Sequence, residues 1–394
     1  MDRSEPMKIL EQIEQRRSWS DEERAVLAQV RRVAEDVIAP AAARLDESEA
    51  FPWENVKALN EIGLNGIFVP ADCGGAPLSY ALYLETVKLI SEACASTGII
   101  FATNFHGMKP LIDFGTAEQQ RRLLPAIAEG GLASLAITEA TAGSDATGMR
   151  TRLTPQGDEV VIDGSKIFIT SGDVADRILL FGRWSEIEGA REAISAIVVE
   201  KSAAGMRVGP RERKMGHRAS STVSLFFEGC RVPRANLLGE PGEGLPILLA
   251  SLNRSRPSVA AHAIGIAKAA FKDAISYANE REQSGRRVID FQGNQFTIAD
   301  LAAELALVER WLDYVAELVD AGSEDFSLEA SIAKLRASDL AMKMTTEAVQ
   351  IFGGYGYVSD HRVERLMRDA KVTQIWEGTN QVHRQLIGRS FRQR

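Results

Sequence analysis

Hydrophobic positions along the chain change period twice. Val26, Leu27, Val30 and Val33 recur at helical spacing behind Ser20 and Glu23, which have the offset of a capping box. This predicts a first helix closed by Pro40. A second helix is predicted from Trp53 to Ile62, ending at Gly63. After the turn-rich loop 70–75 comes a helical stretch from Ser79 to Ala95, then a short apolar helix around Glu118 to Ala128, stopped by Gly130 and Gly131. From about residue 131 the pattern is that of strands. Val160, Val161 and Ile162 run into Asp163-Gly164, and Lys166 to Thr170 resumes, which reads as a hairpin around a glycine turn. Arg177 to Trp184, Ala193 to Val199 and Thr222 to Phe227 are further runs of strand length. Val232-Pro233 and the glycine-rich loop 239–244 close the block. After Leu245 the helical period returns. An alanine-rich helix is predicted over Ala260 to Arg281, and Ile298, Leu301, Leu305, Val308, Leu312 and Val315 form the next stripe. Ser327 to Ile351 and Gln381 to Ser390 are two more helices. The chain therefore divides into a helical part (1–130), a β part (131–242) and a helical bundle (243–394), without internal repeats.

Composition narrows the class. The 394 residues can bury substantial cores unaided, and 45% hydrophobic with 25% charged residues is ordinary for a globular protein. A net charge of -8 without a basic tract argues against nucleic acid as a partner. No segment offers the roughly 18–20 uninterrupted apolar residues of a membrane span, and the charged residues 1–17 lack the apolar run of a secretory signal. Cys73, Cys94 and Cys230 lie far apart, with no histidine at ligand spacing, which excludes a disulfide framework and a zinc site; no metal is called for. A soluble cytoplasmic protein is expected.

Two loops and one acid stand out chemically. Residues 137–145 (Ile137-Thr138-Glu139-Ala140-Thr141-Ala142-Gly143-Ser144-Asp145) taken alone are a turn with hydroxyl or Asx caps. Followed by Lys166-Ile167-Phe168-Ile169-Thr170-Ser171-Gly172, they place an aromatic ring and hydroxyls where a flat heteroaromatic ligand could be stacked and hydrogen-bonded. Glu377 precedes a glycine, ordinarily the mark of a solvated loop acid. Its neighbours Ile375 and Trp376 instead suggest an apolar pocket, which favours the neutral carboxyl and makes the carboxylate a better base. The glycines at 239–244 and 353–356 do not form Gly-x-Gly-x-x-Gly, so a nicotinamide site is not expected. His106, His217, His262, His361 and His383 are scattered and read as structural or surface residues.

These segments resemble the motifs of the acyl-CoA dehydrogenase family. The resemblance continues, in the family's order, through Lys214–Ser220, Phe227–Pro233, Gly239–Gly244, Gln350–Gly356 and Arg365–Lys371, and covers nearly the whole chain. It implies an α+β fold with an N-terminal helical domain, a middle β-barrel or sandwich and a C-terminal four-helix bundle. It also implies FAD as cofactor. Leu135, Ile137 and Thr138 would meet the flavin pyrimidine edge, Phe168 would pack on the ring, and Thr170 would bond near its reactive nitrogen. Gly143 and Ser144 would lie by the pyrophosphate and the acyl-pantetheine arm. Arg281, Gln350, Gly353 and Gly354 would reach the cofactor of a neighbouring subunit, a bidentate guanidinium suiting a diphosphate, and Thr379 and Gln381 would complete the cofactor site. Glu377 would be the catalytic base, with Arg256, Trp376, Gly378 and Ser144 around the substrate. Some relatives place the base just before the arginine of the first bundle helix; here that position is Ser255, which cannot abstract a carbon-bound proton. The implied reaction is α,β-dehydrogenation of an acyl-CoA thioester, with electrons passing to electron-transferring flavoprotein, in a homo-oligomer built as a dimer of dimers.

Three positions depart from the family pattern: Ala140 for proline, Ser284 for phenylalanine and Arg362 for proline. None removes a reacting group. The bulk of Trp376 would narrow the acyl slot, pointing to short or medium chains, straight or branched. The same scaffold would also serve an acyl group tethered to a carrier protein, an oxidase or desulfinase, or a non-catalytic FAD-binding protein.

Overall fold

The computed structural model describes residues 18–392; the charged segment 1–17, read above for its lack of a secretory signal, lies outside the described residues. Helix α1 (Asp21–Val33) starts with the anticipated box: the Ser20 hydroxyl accepts from the Glu23 N–H at 3.1 Å and the Glu23 carboxylate from the Ser20 N–H at 3.0 Å. Pro40 does not close this element. A π-helical turn (Ala34–Ile38) passes the chain directly into α2 (Ala39–Ser48), with Pro40 in the first turn, where a missing N–H is least costly. Helix α3 (Trp53–Glu61) ends before Gly63 at φ 72°, a left-handed stop. Helix α4 (Tyr80–Ala93) is capped by Ser79. Helix α5 (Ala95–Phe114) was not foreseen. It is buried on nearly every side, so its sequence carries no amphipathic stripe. The expected helix near 118–128 is split into α6 (Ala117–Leu123) and α7 (Pro125–Ala128) by Pro125.

The strands are β1 (Ala133–Ala136), β2 (Arg152–Gln156), β3 (Glu159–Thr170), β4 (Arg177–Trp184), β5 (Ile194–Glu200), β6 (Met206–Arg211), β7 (Thr222–Pro233) and β8 (Leu237–Leu238). They form one sheet in the order β6-β7-β3-β2-β4-β5-β8, with β1 parallel to β4. The hairpin expected at Gly164 is absent. β3 is continuous there, and Gly164 (φ 146°) marks a slip in register against β7 between Ile162 and Gly164. The true hairpin joins β2 to β3, where Gln156 pairs with Glu159 across Gly157 (φ 64°). A second slip, between Lys166 and Ile169, turns Phe168 outward at φ 58°.

Helix α8 (Gly244–Glu280) is longer than the alanine-rich stretch predicts. It begins at the glycine-rich loop and continues through Pro257, because Ile247 and Leu248 pack under the sheet while Ala260–Ala278 pack into the helical core. A small hairpin of β9 (Glu282–Gln283) and β10 (Arg286–Arg287) follows, turning at Ser284 (φ 52°) and Gly285 (φ 73°). Then come α9 (Gln292–Asp320), α10 (Ser327–Phe352), α11 (Val363–Thr373), also unforeseen, and α12 (Asn380–Arg389). The order helical, sheet, helical is the one expected. A single apolar core joins α4, α5, α8, α9 and α10. Inside it Glu85 pairs with Lys88 at 2.5 Å, and Glu309 is approached by Lys268 at 3.4 Å and by Lys88 at 3.9 Å, so buried charges of both signs tie α4, α8 and α9 together. Among the described residues no helix is long and apolar enough to cross a membrane.

The bulge reading gives a direct test. A Cβ on Gly164 would lie 2.7 Å from the Thr151 Cα at a φ that other residues rarely adopt. Gly164→Ala is expected to destabilise the protein by about 1–3 kcal/mol, read as a lower urea midpoint. Were 164 a free turn position, the midpoint would not move.

Candidate active site

Between α11 and α12 the chain turns through Glu377 at φ 50° and Gly378 at φ 92°. A non-glycine residue in the left-handed region stores strain that its surroundings must hold. Here the holding group is Lys334 on α10. Fully buried, it donates from Nζ to the Gly378 carbonyl at 2.7 Å and to Asn380 Oδ1 at 2.9 Å. Asn380 in turn donates to Ser338 Oγ at 2.9 Å and Asp339 Oδ1 at 2.8 Å. His383 Nε2 faces the Glu377 carbonyl at 3.2 Å, and Thr379 caps α12 by accepting from the Val382 N–H. Burial pushes the Lys334 ammonium down to about 7, against the pull of the Glu377 charge.

The half-buried Glu377 side chain crosses to α8, where the Ser255 hydroxyl donates to Oε2 at 2.5 Å. Arg256, next on the same helix, is buried with Nη1 on Asn253 Oδ1 at 3.0 Å. Burial pushes its guanidinium down, and the Glu377 charge opposes this. Of the two residues expected to make an apolar pocket for Glu377, only Trp376 is packed. Trp376 packs on His217 and His262 (ring centroids 5.1 and 5.8 Å), whereas Ile375, in the turn that follows α11, is 53% exposed. What faces the carboxylate is polar.

The loop after β1 is stapled to β3. Lys166, fully buried, donates from Nζ to the Ile137 carbonyl and to Glu139 Oε1, each at 2.8 Å. Glu139 also accepts from the N–H groups of Arg150 (2.6 Å) and Thr151 (2.9 Å), and the Ile167 N–H donates to the Thr138 carbonyl at 2.9 Å. Burial pushes Glu139 up, but Lys166 and these donors hold it below the usual carboxylate range. Burial pushes Lys166 down to about 8 against the attraction of Glu139. Leu135, Ile137, Thr138 and Thr170 are half-buried along this edge, Gly143 and Ser144 are exposed at the loop tip, and Phe168 projects with 62% of its surface exposed.

A third loop connects this edge to Glu377. The Ser171 N–H donates to the Ser221 carbonyl at 2.9 Å, and Asp173 accepts from the Ser221 hydroxyl and from Arg211. In that β6–β7 loop His217 (φ 49°) donates its backbone N–H to Asp369 on α11 and meets Trp376 edge-on. The end of β3 and the Glu377 turn thus meet across one short segment. Arg281, Gln350, Gly353 and Gly354 do not join them. They are exposed at another end of the bundle, where the Arg281 guanidinium lies 5.6 Å over the Tyr355 ring. Gln381 is exposed on α12.

Sequence reasoning missed Lys334, Asn380 and the Lys166–Glu139 pair as parts of the site, and rejected Ser255 as a base without seeing it as a partner. The signal for the lysines was a charged residue inside an apolar run, at 166 in β3 and at 334 in α10. The histidines read as scattered are largely gathered: His217 Nε2 and His262 Nε2 stand 2.7 Å apart, and His106 Nε2 is 2.6 Å from Ser258 Oγ.

Comparison with known proteins agrees along the whole chain. Family models match for the acyl-CoA dehydrogenase N-terminal domain over residues 20–131, the middle domain over 134–230 and the C-terminal domain over 242–391. A short-chain-specific acyl-CoA dehydrogenase of Clostridium acetobutylicum is 41% identical, covering 94% of this chain and 98% of the relative. A cyclohex-1-ene-1-carbonyl-CoA dehydrogenase of Geobacter metallireducens is 39% identical with the same coverage. The solved butyryl-CoA dehydrogenase of Megasphaera elsdenii superposes with a TM-score of 0.92 at 34% identity, covering 95% of this chain and 99% of that one.

Removing the Lys166 ammonium would leave Glu139 buried without its countercharge. Lys166→Met is expected to cost about 3–5 kcal/mol and to lower the melting temperature. Lys166→Met combined with Glu139→Gln should recover part of the loss, and a single variant that melts like the parent would show that the pair holds nothing.

Proposed function

The chain belongs to the acyl-CoA dehydrogenase family, oxidoreductases that act on CH–CH bonds, and on that premise we propose that it oxidises short acyl-CoA thioesters to trans-2-enoyl thioesters with Glu377 as base. One observation carries the reading: a carboxylate held on a strained turn by a buried ammonium and a serine hydroxyl, at the junction where the end of β3 meets the bundle.

The sheet edge fits FAD. Phe168 is thrust out on a bulge, beside half-buried Thr138 and Thr170, and Ser171 Oγ is buried with no partner among the described residues. Leu135, Ile137 and Thr138 would meet the pyrimidine edge, Phe168 and Thr170 the ring, and Gly143 and Ser144 the pyrophosphate and pantetheine arm. FAD supplies the acceptor for the hydride that leaves the β-carbon. Glu377 removes the α-proton, and its backbone N–H steadies the charge that grows on the thioester oxygen. Arg256, Trp376 and Gly378 complete the substrate wall.

Two features support a short acyl chain. The relatives above are named for short or compact acyl groups. Behind Ser255 and Ser258 the helical core is filled by aromatics, with Tyr83 stacked on Phe105 at 4.2 Å and Tyr83 close enough for the Glu377 charge to raise its phenol further above the value that burial imposes. A homo-oligomer, a dimer of dimers, is proposed because α9 presents Phe296 (61% exposed) and Leu307 (73%), and because Arg281, Gln350, Gly353 and Gly354 are exposed apart from the Glu377 site, where a second subunit's cofactor could meet them. Electron-transferring flavoprotein is the proposed electron acceptor and the cytoplasm the proposed compartment.

Glu377→Gln should keep FAD and bind thioester, yet slow flavin bleaching under anaerobic mixing at least about a hundredfold. Near-normal bleaching would remove Glu377 as base. With butyryl-, isobutyryl- and octanoyl-CoA, the first two should bleach the parent fastest. Fastest bleaching with octanoyl-CoA would refute the short-chain reading, and none with any ester would refute the activity on CoA thioesters.

A further inference from the structure

Ser255 occupies a buried position on α8 with its hydroxyl between two acceptors: Glu377 Oε2 at 2.5 Å and the Leu252 carbonyl, one turn back, at 3.2 Å. A hydroxyl has one proton to donate and lone pairs to accept with. It can therefore serve only one of these oxygens as donor at a time. Its own carbonyl is fixed by the Ser258 hydroxyl at 2.7 Å, and Ser258 is fixed by His106. The backbone around Ser255 is thus held, while its proton is free to turn.

We infer that Ser255 is a positioning residue for Glu377 whose hydroxyl matches both protonation states of the base. The inference rests on the proposed role of Glu377. Before reaction the Ser255 proton points to the carboxylate and fixes the otherwise half-exposed side chain against a rigid helix. When the α-proton moves to a Glu377 oxygen, the resulting carboxylic acid becomes the donor. Ser255 then accepts from it and turns its own proton to the Leu252 carbonyl. No proton leaves Ser255, and the base keeps a hydrogen bond on both sides of the step. The other polar groups facing Glu377 cannot do this. Arg256 on α8 only donates, Lys334 on α10 is held by the Gly378 carbonyl and Asn380, the Tyr83 phenol on α4 and the His106 ring on α5 are kept neutral by burial and engaged with Ser258, and His383 on α12 meets the Glu377 backbone carbonyl.

The test uses the holoenzyme with butyryl-CoA, following flavin reduction from about pH 6 to about pH 9. Loss of a hydrogen bond to a charged acceptor should slow Ser255→Ala about tenfold at the acid end and clearly less at the alkaline end, moving the acid limb up by about one pH unit. Ser255→Thr, which keeps the hydroxyl, should restore the parent profile. FAD content and thermal melts establish that both variants fold. An independent readout is the carboxylic-acid stretch of Glu377 in infrared difference spectra, identified by its absence in Glu377→Gln; it should appear at higher pH in Ser255→Ala. A rate that is unchanged, or that falls equally at all pH values with the band unmoved, overturns the role of Ser255 and leaves the base in place. Normal reduction by Glu377→Gln overturns the base itself.

Discussion

The site depends on a fully buried ammonium group. Lys334 is wholly enclosed, yet its nitrogen is the nearest firm point for the turn that carries Glu377, through the Gly378 carbonyl and Asn380. Burying a lysine disfavours its charged form, and a turn through two left-handed residues is itself strained. Each cost is offset by the other partner: the ammonium finds acceptors only because the turn adopts that shape, and the turn keeps its shape only because the ammonium holds it. The negative charge of Glu377 adds to the bargain by drawing the Lys334 proton back on, against burial. In the proposed role of Glu377 as base, the Lys334 side would hold the turn while the carboxyl oxygen on the Ser255 side meets a neutral hydroxyl.

How much of this could be read from the sequence depended on whether a residue's role was local. Capping at Ser20, the stop at Gly63, and strands β4, β5 and the first half of β7 follow from neighbours a few positions away, and all were legible. Helix α5 was not, because burial on all sides erases the stripe by which helices are recognised. The bulge at Gly164 looked like a turn because a glycine within a strand and a glycine between strands share one local signal. Only the pairing with β7 distinguishes them. In the site, Glu377 could be named from its motif, but the residues that hold it come from α8, α10 and α12, at sequence distances where pattern reading is blind. Of the pocket expected from Ile375 and Trp376 only the Trp376 side is packed, for a related reason: adjacent residues on a turn point to different sides.

The departures from the family pattern are consistent with a scaffold that tolerates change where packing supplies a substitute. Arg362 does more than replace a proline. It forms paired bonds to Asp273 at 2.7 and 2.9 Å and reaches the Glu92 carbonyl, fastening the start of α11 to α8 and the end of α4. Ser284 sits at the tip of an exposed hairpin whose turn requires positive φ, a conformation that a bulky phenylalanine accepts with more difficulty than serine. Ala140 is exposed between Glu139 and Ala142, which bond to one another across the turn, so the turn closes without proline's fixed φ.

The histidines beside Trp376 complete the argument about charge. Burial drives both His217 and His262 far toward the neutral form, so the 2.7 Å contact between their Nε2 atoms must join one N–H to one lone pair. Ser91 Oγ lies 2.7 Å from His262 Nδ1, and His217 Nδ1 faces Asp369 at 3.8 Å. Placing the protons so that Ser91 donates to His262 and His262 to His217 satisfies both short contacts with neutral rings, and leaves the His217 Nδ1–H toward Asp369 at a distance too long for a hydrogen bond. The floor under Trp376 is therefore polar but uncharged. The Glu377 carboxylate thus has the neutral Ser255 hydroxyl as its side-chain hydrogen-bond partner, with Arg256 and Lys334 near enough for its charge to act on both.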